Sequence, residues 1–206
     1  MDLKTAHLAP AKPKRRAGAD TASVPRERIL HAAARLFRER GYKGTTVRDI
    51  ADEVGILSGS LFHHFRSKEE MLLEIMREAA LSVCIRAEEI GGRALAPAEQ
   101  LRELVRLELD SILSDARKDY HVVLFFEWRD APDRAKPELT SMRRRYQRCW
   151  MQALQACSDA GQLRCAPDAA AHILSGALVG TMTWFKPGGR YSSSEFGDIV
   201  TQLVLQ

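Results

Sequence analysis

The chain has 206 residues, of which 45% are hydrophobic and 28% are charged; this composition excludes a disordered protein, and the length fits one domain or a small domain joined to a larger one. The longest apolar run, residues 122–126, is too short to span a bilayer, and no apolar segment of a secretory signal is visible near the N-terminus. The formal net charge is +4. We therefore expect a cytoplasmic protein that has no membrane partner.

The first 28 residues carry the whole excess of positive charge. They contain seven basic and three acidic side chains, which leaves the rest of the chain neutral. Pro10, Pro13 and Gly18 interrupt any regular pattern, so we predict a disordered basic arm over residues 1–24. Such an arm is either a solvated tail or a segment that follows the phosphate backbone of DNA, and its composition leaves both alternatives open.

The first half of the chain predicts four helices, two of them short. An apolar stripe that begins at Ile29 indicates an amphipathic helix that ends at Gly41. Thr45 or Thr46 can cap a second helix, which ends at Gly55, and a third helix begins near Ser58. The sequence Ser67-Lys68-Glu69-Glu70 is a capping box that opens a fourth helix, and Gly91-Gly92 ends it.

The second half predicts longer helices. Pro97 suits the first turn of a helix that runs to about residue 113, and further helices are predicted over residues 138–160, 168–185 and 192–205. The apolar segment 122–128 fits a buried helix or a strand by its pattern, and its helical neighbours favour a helix. The predicted fold class is therefore all-α.

Residues 46–65 have the proportions of a helix-turn-helix. Two short helices of about eight and seven residues are joined by a turn that contains Gly55. The second helix would expose small and hydrogen-bonding groups and one aromatic ring, which suits insertion into the major groove of DNA. Lys68 lies at the start of the next helix, where the helix dipole and the ammonium group would together favour a phosphate.

The segment from Arg28 to Glu74 resembles the DNA-binding domain of TetR-type transcriptional repressors. The matching features are Gly41-Tyr42, Thr45-Thr46, Ile50-Ala51, Gly55, the run Gly59-Ser60-Leu61-Phe62-His63-His64-Phe65, and Lys68-Glu69. The resemblance implies a three-helix helix-turn-helix DNA-binding domain over residues 25–70 and a helical-bundle ligand-binding and dimerisation domain over residues 71–206. Phe62 stands where the family usually has a tyrosine that contacts a phosphate, so one hydrogen bond of the family is missing here.

The resemblance also implies the residues that contact DNA. Thr46 and Arg48 would lie near the DNA backbone, Ser58, Gly59, Ser60 and His63 would face base edges or nearby phosphates, and Phe62, His64 and Lys68 would line the phosphate side. Adjacent histidines on a helix point about 100° apart, so we expect no metal site at His63-His64. The sequence has no hydrolase elbow, phosphate loop or zinc-ligand spacing. We therefore expect neither an enzyme nor a cofactor.

The C-terminal half is weakly similar to repressors of fatty-acid, steroid and aromatic-acid catabolism, several of which respond to acyl-CoA thioesters. The segments that carry this similarity are residues 126–129, 143–146 and 184–189. The basic group Arg143, Arg144, Arg145 and Arg148 would bind the phosphates of such a ligand, or it is a solvated face that pairs with acids such as Glu138. The candidate ligand-binding residues are Leu109, Leu113, Phe125, Phe126, Trp128, Arg129, Met142, Arg145, Tyr146, Trp150 and Met151, and ordinary core packing is the alternative for each of them.

Small residues on the 168–185 helix indicate close helix packing. They are Ser175, Gly176, Ala177, Gly180 and Thr181. They fit a dimer interface formed with the preceding helix, or tight packing within one chain. We predict a repressor that binds a palindromic operator in double-stranded DNA as a homodimer and is released by a small-molecule effector, such as an acyl-CoA or a related lipid or aromatic catabolite. The alternative function is a helix-turn-helix DNA-binding protein without an effector, associated with the nucleoid or with cell division.

Overall fold

The computed structural model describes residues 24–113 and 118–206, so nearly all of the predicted basic arm lies outside the described residues. The described residues form nine α-helices and no named strand, which confirms the all-α prediction. None of these helices is long and apolar enough to cross a membrane. The helices are α1 (Arg26–Gly44), α2 (Val47–Val54), α3 (Ser58–Leu61), α4 (Lys68–Gly91), α5 (Pro97–Leu113), α6 (Lys118–Phe126), α7 (Lys136–Asp159), α8 (Pro167–Trp184) and α9 (Ser193–Val204).

The junction of α1 and α2 is built from the residues that the sequence singles out. Gly41 breaks α1 with φ 75° and ψ 158°, a conformation open only to glycine, and one further turn follows the break. The Thr46 hydroxyl accepts the Asp49 N–H at 3.1 Å, and the Asp49 carboxylate accepts the Thr46 N–H at 2.8 Å. This reciprocal cap begins α2, and Gly55 ends it with φ 77°.

The third helix is shorter than the predicted seven residues. It covers four residues and continues as a turn in which the His63 and His64 N–H groups donate to carbonyls three residues back, at 3.2 and 3.0 Å. Serine and glycine are weak helix formers, and they make up three of the four residues in α3. We call residues 57–64 the α3 segment.

The start of α4 and the end of α6 differ slightly from the prediction. The Ser67 hydroxyl accepts the Glu70 N–H as predicted, but the Glu70 carboxylate accepts the Arg66 N–H, at 2.6 Å, so the return bond of the capping box is shifted by one residue. The ambiguous apolar segment is helical up to Phe126, and a short 3₁₀ turn over residues 128–130 follows.

The largest buried cluster joins the two halves of the chain. It contains apolar residues of α1, α2, α3 and α4 together with Tyr120 and Val123 of α6 and Leu139 of α7. A second cluster fills the space between α5, α8, α9 and the end of α7, and a smaller third cluster lies between α4, α5 and α7. The N-terminal helices therefore pack directly against α6 through α1, and not only through α4.

Candidate DNA-binding and effector sites

The α3 segment is anchored by buried side chains on one side and is accessible to solvent on the other. Leu61 and Phe65 are 0% and 1% exposed in the same core as Ile50 and Ala51 of α2. On the outer side Gly59, Phe62 and His63 are exposed, and Ser58, Ser60 and His64 are half-buried. The predicted DNA-binding residues of this segment therefore share one accessible stretch of surface. Small polar groups on a rigid support suit readout of base edges.

Gly59 lies in helical backbone with open space around it. A Cβ placed on Gly59 would meet no heavy atom within 4 Å. Packing within the chain therefore does not demand a glycine at this position. The missing side chain leaves room for a partner to approach the backbone closely.

The two residues at the start of α2 that are predicted to lie near the DNA backbone, Thr46 and Arg48, differ in how free their side chains are to bind a phosphate. The Thr46 hydroxyl takes part in the reciprocal cap with Asp49, which also lowers the pKa of the Asp49 carboxyl through hydrogen bonds from Thr46. The Arg48 side chain is 84% exposed, and its guanidinium lies 3.8 Å from Asp52 on the same helix. A weak exposed ion pair of this kind leaves Arg48 able to turn toward a phosphate.

Lys68 makes contacts that sequence analysis did not predict. Its ammonium donates to the carbonyl oxygens of Tyr42 and Thr45, each at 2.7 Å, and lies 4.1 Å from the centre of the Tyr42 ring. The partners are more than 20 positions away in the chain, so no local pattern could indicate them. Lys68 thus ties the start of α4 to the α1–α2 junction, and its phosphate contact stays a prediction.

Leu57 is a second feature that sequence analysis missed. Its side chain is 74% exposed, the highest value among the large hydrophobic side chains of the described residues, and Phe62 is 53% exposed. Leu57 directly precedes α3 and offers it no side-chain cap. The surface that carries the predicted DNA contacts therefore also presents apolar groups at both ends of the α3 segment.

Polar contacts connect the helix-turn-helix to α6 and the turn after it. The Lys43 ammonium lies 3.1 Å from the Asp130 carboxylate, and Arg38 lies 3.0 Å from Asp119. The Glu127 carboxylate accepts the backbone N–H of Tyr42, and burial raises the pKa of this carboxyl. These contacts meet α1 on both sides of its break at Gly41.

The predicted ligand-binding residues are distributed over three buried clusters. Trp128 and Met142 pack against the cluster shared with the helix-turn-helix, Leu109 and Leu113 belong to the cluster of α5, α8 and α9, and Tyr146 packs against the third cluster. Trp150 contacts the second and third clusters. The exposed members of the set are Phe125, Phe126, Arg129 and Met151.

A buried acid lies among these residues. Glu108 of α5 is 8% exposed, and its carboxyl accepts a hydrogen bond from the Tyr146 hydroxyl. Burial raises the pKa of Glu108 and, together with the nearby carboxyl, raises that of Tyr146 well above its ordinary value. Tyr146 in turn meets Trp150 edge to face, with 6.2 Å between ring centres. Sequence analysis found Tyr146 and Trp150 but not Glu108, because an isolated glutamate in a helix gives no signal of burial.

The basic group on α7 divides into paired and unpaired arginines. Arg145 binds Glu88 of α4 through two hydrogen bonds of 2.9 and 2.7 Å, which lower the pKa of the Glu88 carboxyl. Arg143 and Arg144 are exposed and form no ion pair with any residue in the described part of the chain. Glu138 pairs with Arg77 of α4 instead of the α7 arginines. Arg148 is also exposed and forms no ion pair with a described residue, so three of the four predicted anion-binding arginines have no ion-pair partner among the described residues, whereas Arg145 has one.

The titratable groups give no sign of a metal centre in the parts of the chain that the structure covers. No group of three or more His, Cys, Asp and Glu residues there could hold a metal ion. Cys84, Cys149 and Cys157 are buried free thiols, and burial raises the pKa of each. A raised pKa makes a thiol a poor nucleophile at neutral pH.

Comparisons with known proteins agree over most of the chain. Residues 29–75 match the family model described as bacterial regulatory proteins, tetR family, and residues 94–206 match that of the tetracyclin repressor-like C-terminal domain. The chain is 35% identical to the HTH-type transcriptional repressor KstR2 of Mycolicibacterium smegmatis over 90% of this chain and 93% of that protein.

Solved structures show the same similarity. The ketosteroid transcriptional regulator KstR2 of Mycobacterium tuberculosis is 29% identical with a TM-score of 0.75, over 90% of this chain and 97% of that one. AibR in complex with isovaleryl coenzyme A and operator DNA is 23% identical with a TM-score of 0.76, over 86% of this chain and 96% of that one. The AibR comparison concerns the fold alone.

Proposed function

The chain belongs to the TetR family and is a DNA-binding transcriptional repressor, and we propose that it binds an operator of two-fold symmetry as a homodimer and leaves it when a small-molecule effector binds. Each chain carries one helix-turn-helix. A symmetric pair therefore presents two α3 segments, which would read inverted half-sites about one helical turn of DNA apart.

The observation that carries the proposal is the surface of the α3 segment. Gly59 and His63 are exposed on it, Leu61 and Phe65 are buried and anchor it, and none of the residues that the structure describes packs over Gly59. A rigid surface with small groups and an open backbone suits the major groove, which is about 12 Å wide. Arg48 at the side of this surface supports contact with the backbone.

A homodimer is supported by an exposed apolar face on α8 and α9. Ile173 of α8 is 44% exposed, and Ile199 and Leu203 of α9 are 41% and 58% exposed. Of the small residues on α8, Ser175 and Gly176 are exposed, whereas Thr181 is buried and donates to the Leu178 carbonyl within the chain. We therefore place the dimer interface on α8 and α9 and not on α7 and α8.

An acyl-CoA or a related lipid or aromatic catabolite is the effector class that we propose. The relatives named above include a ketosteroid regulator and a protein of the same fold that binds isovaleryl coenzyme A. Arg143 and Arg144 on α7, which are exposed and form no ion pair with a described residue, would supply cations for the phosphates of such a ligand. The contacts of Lys43 and Tyr42 with the turn after α6 offer a route from the effector to the helix-turn-helix.

Selection of DNA from a random pool with the full-length protein tests the first part of the proposal. We expect an enriched inverted repeat and a footprint with dyad symmetry. In sedimentation, we expect a complex in which two protein chains bind one DNA that carries a pair of half-sites. A footprint without dyad symmetry, or a stable monomer that binds its site at working concentration, would contradict the homodimer.

A ligand screen followed by calorimetry tests the second part. Saturated, aromatic and steroid-derived acyl-CoA thioesters are compared in thermal shift with free coenzyme A and with the free acids. The best ligand is then titrated with and without operator, since linkage requires operator to weaken effector binding by the same factor as effector weakens operator binding.

The double variant Arg143→Ala/Arg144→Ala should weaken the binding of the thioester more than the binding of the free acid. Arg190→Ala, which removes an exposed arginine between α8 and α9, serves as the control. Equal effector affinities with and without operator would contradict release by this ligand. If no ligand shifts the melting temperature or displaces the operator, the result favours the alternative DNA-binding protein without an effector.

A further inference from the structure

Leu57 stands at a position where a leucine does not stabilise the protein in the absence of a partner. Its side chain is 74% exposed, and it occupies the position before α3 where an oxygen-bearing side chain usually accepts a backbone N–H. The α3 helix has no such side-chain cap. The free protein therefore both exposes an apolar side chain and lacks a cap at one position. Scattered exposed leucines are common and need no explanation, but this leucine also displaces a stabilising residue type.

The neighbours of Leu57 show which partner it can meet. Ser58 and Ser60 follow it at the half-buried edge of the α3 segment, and Gly59 between them leaves the backbone open. Arg48 is 84% exposed on α2, and His63 is exposed at the far end of the segment. A surface that combines cationic and hydrogen-bonding groups with one apolar group matches the floor of the major groove. There the methyl group of thymine is the apolar element among hydrogen-bonding edges.

We propose that Leu57 contacts the C5-methyl group of a thymine in each operator half-site and thereby makes this base pair part of the recognised sequence. This inference rests on the proposed function, because it needs the α3 segment in the major groove. It assigns a base-reading role to a residue outside the set Ser58, Gly59, Ser60 and His63. It also explains why a leucine and not a capping residue stands before α3.

The experiment removes single methyl groups from the DNA. In the operator selected with the full-length protein, each thymine is replaced in turn by deoxyuridine, in both half-sites, and the affinity is measured for the wild type and for Leu57→Ala. For the wild type we expect one symmetric position at which the replacement lowers affinity by roughly fifteen-fold, or about four-fold for each buried methyl group. For Leu57→Ala the same replacement should change affinity by less than about 1.5-fold.

Two further variants separate recognition from folding. Leu57→Ser supplies a capping hydroxyl, so its melting temperature without DNA should rise by about 2–4 °C while it loses sensitivity to the methyl group. Leu81→Ala removes a leucine that is 40% exposed on α4, far along the chain from the α3 segment. This control should keep the wild-type response to deoxyuridine.

The outcomes distinguish the inference from the function on which it rests. If the wild type and Leu57→Ala respond alike at every thymine, or if no thymine responds in the wild type, Leu57 does not read a methyl group although the protein binds its operator. If selection yields no specific sequence at all, the proposed function fails first. A position that responds in the wild type and in Leu81→Ala, but not in Leu57→Ala or Leu57→Ser, supports the inference.

Discussion

The carboxyl group of Glu108 lies between α5 and α7 with the Tyr146 hydroxyl as its hydrogen-bond donor, and it forms no ion pair with any of the described residues. Burial raises its pKa, so the folded chain binds this proton more tightly than the unfolded chain does. The stability that comes from Glu108 is therefore fully present at low pH. It is lost as the pH rises from the ordinary value of about 4.3 through the higher value of the folded state.

The variant Glu108→Gln should not lose stability in this way as the pH rises. Its amide oxygen can still accept the Tyr146 hydroxyl, and it needs no proton. We expect the free energy of unfolding of Glu108→Gln to exceed that of the wild type by about 1–3 kcal/mol at pH 8 and by much less at pH 5, as measured by urea unfolding.

A second acid on the same helix provides the control. A hydrogen bond from Arg106 lowers the pKa of Glu103, so its contribution is present above the unfolded value and is lost as the pH falls. Glu103→Gln should therefore be less stable than the wild type at pH 8, and the difference should shrink toward pH 4. If the difference in the free energy of unfolding between Glu108→Gln and the wild type stays constant from pH 5 to pH 8, the claim that burial raises the pKa of Glu108 is contradicted.

Lys68 has a structural task that can be separated from DNA binding. Lys68→Met keeps the aliphatic stem but leaves the carbonyls of Tyr42 and Thr45 without their donor. We expect it to lower the free energy of unfolding by about 1–3 kcal/mol in the absence of DNA. Arg66→Met, which removes an exposed charge two positions earlier, should change this free energy by less than about 0.5 kcal/mol. Equal stabilities of the two variants would show that the Lys68 contacts are not formed.

At the scale of elements, the break in α1 at Gly41 sets the direction from which the chain enters α2. Its φ of 75° and ψ of 158° are strained for any residue with a Cβ. Gly41→Ala should therefore lower the free energy of unfolding by about 1–3 kcal/mol. The cost is conformational, since the nearest atom to an added Cβ, Glu127 Oε1, is 3.7 Å away.

Gly59→Ala is the matched glycine substitution and should behave in the opposite way. It lies in α3, where alanine is the better helix former, and an added Cβ meets open space. Its melting temperature should equal or exceed that of the wild type, whereas operator affinity should fall because the methyl group blocks close approach to DNA. Wild-type affinity in Gly59→Ala would mean that the α3 backbone does not approach the DNA closely.

The elements that could be predicted from sequence are those whose signals are local. The predicted cap at Ser67 accepts the Glu70 N–H three positions on, and Thr46, one of the two threonines predicted to cap α2, accepts the Asp49 N–H. Contacts between helices depend on packing register, which no single stretch of sequence contains. For this reason the Arg145–Glu88 pair and the Lys43–Asp130 contact between the two halves were not predicted. The ligand-binding set is spread over three buried clusters and stays a prediction, because aromatic and methionine residues fill ordinary cores as well.

At the scale of the whole molecule, we expect the proposed dimer interface on α8 and α9 to decide whether two α3 segments act together. Leu203→Glu places a charge in the middle of the proposed dimer interface, where Leu203 is 58% exposed in the single chain. We expect a monomer in sedimentation velocity at micromolar concentration and a loss of operator affinity of at least about 100-fold, because each half-site is then bound alone.

Leu81→Glu adds the same charge to an exposed leucine on α4 and should remain a dimer with wild-type affinity. A Leu203→Glu variant that sediments as a dimer would place the interface elsewhere.

The buried cluster that α1 to α4 share with α6 has a consequence for how new regulators could arise by recombination. A crossover near residue 70, the predicted domain boundary, would separate Ile29 and Phe37 from Leu72, Ile75 and Val123, which are buried together with them. A transplanted effector region would therefore have to bring a surface that fits the foreign α1. The α3 segment, by contrast, contributes only Leu61 to that cluster. If the α3 segment reads the operator as proposed, substitutions on its outer face would retarget the protein without disturbing the fold, and point mutation would be an easier route to a new regulon than exchange of whole modules.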